Sequence, residues 1–235
     1  MRKLALVVAG ALALALTQLM GLAAAQETPV CGPPGEEVPP TIVGSGIIVG
    51  TAGDDVIIAS GENDTILGLG GNDIICGEAG NDRILGGRGD DVLIGDGADL
   101  PPFAESNGAN DDVLLGGPGD DVLAGLGGDD TLLGGGGDDE IIGFGGYDRI
   151  LGGSGNDTAF GGPLDDKVFG NSGNDTLWGN FGSDLITGGP GDDAIDGDNP
   201  FPPPPGPLPF PPGTNNDVCT GGPGTDTVAN CEVDF

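Results

Sequence analysis

Along most of the chain a large aliphatic residue returns every ninth position: Ile57, Ile66, Ile75, Ile84 and Leu93, then Leu114, Leu123, Leu132, Ile141 and Ile150, and onward. Numbered so that this residue is place eight, the unit reads G-G-x-G-x-D-x-U-x, with U the aliphatic. Copies fall in three blocks, 50–94, 107–196 and 212–229, and place eight is a large aliphatic in all but Ala159 and Cys219. The first six places are rich in glycine, which takes the positive φ angles of tight turns. The last three are mostly β-branched or aliphatic and suit a three-residue strand. In such a strand place eight points one way and places seven and nine the other. Turn, strand, turn, strand therefore predicts a flattened coil around a thin core of place-eight side chains, with successive coils pairing as parallel strands about 4.8 Å apart.

A longer period lies inside the shorter one. Place nine alternates between Leu67, Leu85, Leu115, Leu133, Leu151, Phe169 and Ile58, Cys76, Ile94, Ala124, Ile142, Phe160, Trp178. Like residues recur every 18, so one coil comprises two nonapeptides. The parity survives the break at 95–106, which marks that break as a loop bulging from a continuous stack. The expected fold class is all-β: a two-sheet parallel solenoid of 18-residue coils spanning 50–229, with expanded turns at 95–106 and 197–211. The second of these is proline-rich (Pro202 to Pro205) and favours an extended excursion. Residues 26–49 form an N-terminal segment whose apolar stretch 41–49 closes the first coil as a capping strand, and 230–235 cap the other end. The place-nine leucines should form an apolar stripe outside one sheet, serving either rung-to-rung stacking or self-association.

Charge selects the ligand. Place six is aspartate in every unit: Asp55, Asp64, Asp73, Asp82, Asp91, Asp112, Asp121, Asp130, Asp139, Asp148, Asp157, Asp166, Asp175, Asp184, Asp193, Asp217 and Asp226. The chain holds 38 acidic residues, and beyond the first 25 residues its only basic ones are Arg83, Arg88, Arg149 and Lys167. At ~5 Å and an effective dielectric of ~20, each stacked carboxylate pair costs on the order of 3 kcal/mol. Summed over two columns, this exceeds the ~5–15 kcal/mol stability of an ordinary domain. Divalent cations between successive turns remove the repulsion. Aspartate and carbonyl oxygens suit Ca²⁺, whereas magnesium gives up its waters reluctantly and transition metals prefer nitrogen or sulfur. The chain has no histidine, which argues against a zinc site and against the commonest general base. Its negative charge excludes nucleic acid as a partner.

Units such as Gly116-Gly117-Pro118-Gly119-Asp120-Asp121-Val122-Leu123-Ala124 closely resemble the RTX (hemolysin-type) calcium-binding nonapeptide repeat. The resemblance covers roughly 50–229. It implies a right-handed parallel β-roll in which turn carbonyls and the place-six aspartates hold several Ca²⁺ ions between turns two units apart. Glu62, Asn110, Leu164 and Asn215 replace the place-four glycine and depart from the family pattern. No catalytic motif is visible in residues 1–49, so a stand-alone, non-enzymatic repeat protein is expected.

Met1-Arg2-Lys3, an apolar run to Leu22 and Ala23-Ala24-Ala25 read as a secretory signal peptide, residues 1–25, removed before Gln26. This gives a secreted, extracellular protein with no membrane association after cleavage. Four cysteines in such a chain suggest two disulfides out of three possible pairings, and proximity favours Cys31–Cys76 and Cys219–Cys231 as staples at the two ends. The expected function is calcium binding that drives folding. The alternative is an extracellular adhesive or matrix-associated spacer that presents the rigidified roll to another copy or to an extracellular partner.

Overall fold

The structure is a computed structural model that describes residues 41–96, 110–198 and 217–231. The expected signal peptide, Cys31, most of both expanded turns and the last four residues lie outside the described residues. Within them the chain forms nineteen strands and no helix. Odd-numbered strands in chain order make a ten-stranded sheet and even-numbered strands a nine-stranded one, every pairing being parallel. The two-sheet solenoid with an 18-residue coil is thus the fold. Leu133 pairs with Leu151, and Leu151 with Phe169, one coil apart.

Place eight is the core. From Ile57 to Ile186 every place-eight side chain is fully buried, in one continuous column that runs to Cys219. A core one side chain thick cannot stand without neighbours above and below, so each coil is stable only within the stack. The first break is a bulge, as the parity required. Arg83–Arg88 pairs directly with Val113–Pro118, and Val92–Asp96 with Val122–Gly127, across the break.

Two expectations about strands need correction. Most central strands have six residues, such as Thr131–Gly136 and Arg149–Ser154, because pairing resumes beyond the place-one glycine. Places two and three still hydrogen-bond from coil to coil even though the backbone has turned. The stretch 41–49 is two short strands, not one. Ile42–Val43 edges the ten-stranded sheet and Ile47–Val49 the nine-stranded sheet.

In most units place four turns the chain with positive φ. Leu164 (82°) and Asn110 (66°) keep that conformation without glycine, at a conformational cost of ~1 kcal/mol or more for leucine. Glycine is also required there by proximity. At Gly137 (φ 137°) a Cβ would collide with the carbonyl of Gly119, whose carbon would lie 2.5 Å away. Cys219 and Cys231 form a disulfide, Cα atoms 5.8 Å apart, closing the C-terminal end of the core column as expected. The Cys31–Cys76 pairing involves a residue outside those described; Cys76 is buried on the outer side of the ten-stranded sheet beside Val56 and Ile58. Substituting Gly137→Ala should lower the stability of the calcium-loaded protein by about 2 kcal/mol or more, measured by denaturant unfolding.

Candidate metal centre

The place-six aspartates lie in two columns, one at each turn of the coil. The first runs through Asp55, Asp73, Asp91, Asp121, Asp139, Asp157, Asp175, Asp193 and Asp226, the second through Asp64, Asp82, Asp112, Asp130, Asp148, Asp166, Asp184 and Asp217. All are buried except Asp226, which is half-buried. Within each column the Oδ1 of one aspartate accepts the backbone N–H of its counterpart in the preceding coil. Asp112 N–H donates to Asp130 at 2.7 Å, Asp139 N–H to Asp157 at 3.0 Å, and Asp166 N–H to Asp184 at 2.7 Å. The ladder crosses both expanded turns unbroken: Asp82 to Asp112 at 2.6 Å and Asp184 to Asp217 at 2.8 Å.

The second carboxylate oxygen decides the chemistry. In every place-six aspartate from Asp73 to Asp193, Oδ2 is buried and accepts no hydrogen bond. Each points at the place-one glycine of its own unit, except that Asp112, across the expanded turn, points at Gly95. At Gly134, a Cβ would meet Asp139 Oδ2 and, at 2.7 Å, the carbonyl oxygen of Gly152 in the next coil. Glycine at place one therefore leaves a cradle lined by a carboxylate and a carbonyl oxygen, a hard donor set suited to Ca²⁺. Among the described residues no three acidic or thiol side chains converge on one point, so carbonyls must complete any coordination shell. The first coil differs. Asp55 Oδ2 accepts the N–H of Thr51 at 2.6 Å, and Asp64 Oδ2 accepts both the N–H and the hydroxyl of Ser60 at 2.9 Å.

Burial raises the carboxyl pKa values of the place-six aspartates from Asp73 to Asp193. Asp82 is pushed up to about 6, Asp91 to about 7 and Asp112 to about 8, in each case by loss of solvent, with the donated N–H acting against it. Asp130 reaches about 9, through burial and then the charge of Asp148. Asp148 and Asp166 rise together, burial again being the main cause. A buried carboxylate without a counter-charge must take up a proton or a cation.

Two features escaped the sequence reading. Place five is Asp or Asn in fourteen of the seventeen units, and its side chain accepts the place-five N–H of the following coil. Asp129 N–H donates to Asp111 at 2.9 Å, Asp138 N–H to Asp120 at 2.8 Å, and Asn174 N–H to Asn156 at 2.9 Å. The Asn-Asp and Asp-Asp dipeptides were the available signal. The other is Asp96, a fully buried carboxylate outside place six, which accepts the Gly127 N–H at 3.2 Å and has its pKa raised to about 7 by burial. One aspartate off the period leaves no sequence signal.

Among curated proteins none matches the chain. A family description, the RTX calcium-binding nonapeptide repeat, matches residues 43–75, 77–99, 106–141, 125–159, 133–168 and 169–199, well over half of the sequence. Its repeats bind Ca²⁺, and the buried, periodic aspartates fit calcium-binding turns. With the period, the stacked coils and the carboxylate columns in agreement, the chain belongs to the RTX calcium-binding nonapeptide-repeat family.

Proposed function

We propose that this is an exported calcium-binding repeat protein whose solenoid, at neutral pH, is stable only with Ca²⁺ in its turns, held by the place-six aspartates together with turn carbonyls. The observation that carries this reading is the run of buried, unpartnered Oδ2 atoms from Asp73 to Asp193. Bound Ca²⁺ would supply the positive charge that four basic residues cannot. Asp55 and Asp64, whose Oδ2 atoms are taken by Thr51 and Ser60, act as hydrogen-bonded caps of the first coil. Cation binding to the folded state alone is folding free energy. The Cys219–Cys231 disulfide and the N-terminal signal-like segment support export into an oxidising, calcium-rich compartment. A non-enzymatic role is supported by the absence of histidine and by aspartates already engaged in the ladder.

Protons compete with calcium for the same oxygens. The folded-state pKa values of about 6 to about 9 lie above the ordinary carboxylate value of ~3.9, so the calcium-free coil binds protons more tightly than the unfolded chain does. Its stability is fully present below about pH 4 and is lost as the pH rises through 6 to 9. In chelator, far-ultraviolet circular dichroism should therefore show more strand at pH 4.5 than at pH 8, whereas with limiting calcium acidification should release the ion. At pH 7.5, calcium should convert a coil spectrum to a strand spectrum and chelator should reverse it. A full, cooperatively melting strand spectrum in chelator at that pH would overturn the reading.

Asp130→Asn separates the roles of the two oxygens. Asparagine keeps an Oδ1 acceptor for the Asp112 N–H but removes the buried charge. It should increase the strand content of the calcium-free protein, yet raise the calcium needed for half-folding by about tenfold and lower the number of ions bound in equilibrium dialysis.

A further inference from the structure

The two sheets present opposite chemistry to solvent. No strand of the nine-stranded sheet contains an acidic residue, and Arg83, Arg88, Arg149 and Lys167 all lie on it. The ten-stranded sheet has no basic strand residue and carries Glu78, Asp96, Glu140 and Asp196. In a chain with 38 acidic residues, every cation beyond the first 25 positions sits on one acid-free face.

That face is also apolar. Arg83, Arg149 and Lys167 occupy place seven and point outward, exposed, with Arg149 and Lys167 in adjacent coils. Beside them runs the half-buried place-nine column of Leu67, Leu85, Leu115, Leu133, Leu151 and Phe169. The Arg149 guanidinium lies over the Phe169 ring, 5.2 Å from its centroid. At the ends of the face Ile47 (77% exposed), Val49, Leu185 and Val218 are open. Of the matching place-nine side chains of the ten-stranded sheet, Ile58, Cys76, Ala124, Ile142 and Phe160 are buried, and Ile94 and Trp178 are half-buried. Nine strands about 4.8 Å apart give a face roughly 38 Å long, and places seven to nine of each strand give it a flat width of roughly 10 Å.

An occupant must be anionic and must also tolerate leucine. A second copy placed face to face would set cations against cations with no acid on either side. The opposite sheet of a second copy offers acids, but most of its apolar column is already buried, Ile94 and Trp178 being half-buried. An acidic sugar chain would find hydrogen-bonding side chains here, Thr131, Ser154 and Ser172 among them, but would leave the continuous apolar place-nine column without a partner. A lipid headgroup layer satisfies both requirements. Exposed turn acids such as Asp90, Asp129 and Asp165 edge this face and are offset by bound Ca²⁺ in the loaded coil, while the acids of the far sheet stand about 10 Å behind, beyond the ~8 Å screening length at physiological salt.

We infer that the outer face of the nine-stranded sheet docks on anionic phospholipid, with Arg83, Arg88, Arg149 and Lys167 at the phosphates and the leucine column in the interfacial layer. Because the face exists only in the folded coil, the inference rests on the calcium-dependent folding proposed above.

Vesicle co-sedimentation at saturating calcium tests it, comparing phosphatidylglycerol-containing vesicles with pure phosphatidylcholine. The protein should bind the former and not the latter. Binding should weaken by roughly 25-fold in Arg149→Gln/Lys167→Gln, at about fivefold per basic residue. It should weaken also in Leu115→Ser/Leu133→Ser. Equal binding by wild type and Arg149→Gln/Lys167→Gln would show calcium merely bridging carboxylates to lipid and would overturn the inference. No binding by strand-rich wild type overturns it as well. So does a dimer in sedimentation velocity without vesicles that the arginine–lysine variant abolishes, since it assigns the face to a second copy. Circular dichroism on the same samples reports folding separately: a protein already strand-rich in chelator overturns the folding reading, while the vesicle result still decides docking.

Discussion

A carboxylate withdrawn from water without an opposite charge is the constraint on which the rest of this structure depends. The place-six side chains are turned inward at every coil, and one oxygen of each is met by a backbone N–H from the coil before it, as Asp112 meets Asp130. From Asp73 to Asp193 the other oxygen finds only the gap left by a glycine. Place one must be glycine because a Cβ at Gly134 would occupy the space between Asp139 Oδ2 and the Gly152 carbonyl. The same geometry that makes the coil compact makes it anionic inside. On the proposed reading a ligand that cancels this charge governs folding, so that metal binding and stability form one equilibrium.

Two ladders of opposite sense stitch the coils together. Place six accepts from the preceding coil and place five accepts from none but the following one, as Asp120 does from Asp138. Both use the backbone N–H as donor, so they depend little on what surrounds the turn. This explains the tolerance to expanded turns: the chain can leave the stack after Asp96 and return with Asp82 and Asp112 still joined at 2.6 Å. Each coil contacts only its neighbours, as in other repeat architectures.

The faces of the solenoid are free to specialise because neither the core column nor the ladders use them. Place eight fills the inside, and places five and six the turns. Places seven and nine of the two sheets can then diverge. One sheet gathers the cations beside a leucine column, and the other carries acids and a buried apolar column. Charge segregation of this kind leaves the net charge untouched and changes only what each face meets.

Much of this architecture was legible in the chain itself. The nine-residue period of aliphatic and aspartate placed the core at residues such as Ile84 and Leu132. The 18-residue alternation at place nine set the coil, kept its parity across the break after Asp96, and predicted two aspartate columns. Spacing near the C-terminus sufficed for Cys219–Cys231. Periodicity shows which positions are equivalent, but not which atoms of one coil meet which atoms of the next. That is decided by the pitch of the stack and by side-chain direction, both of which exist only after assembly. Hence the six-residue strands, the Asp–N–H ladders, the unpartnered Oδ2 atoms and buried Asp96 came from the tertiary structure alone. The sequence by itself determined the coil, its core and its columns of carboxylates, because all three follow from regular spacing of side-chain type. The folded structure decided where the charge is buried and which face is left bare, because those depend on contacts between residues 18 or more apart.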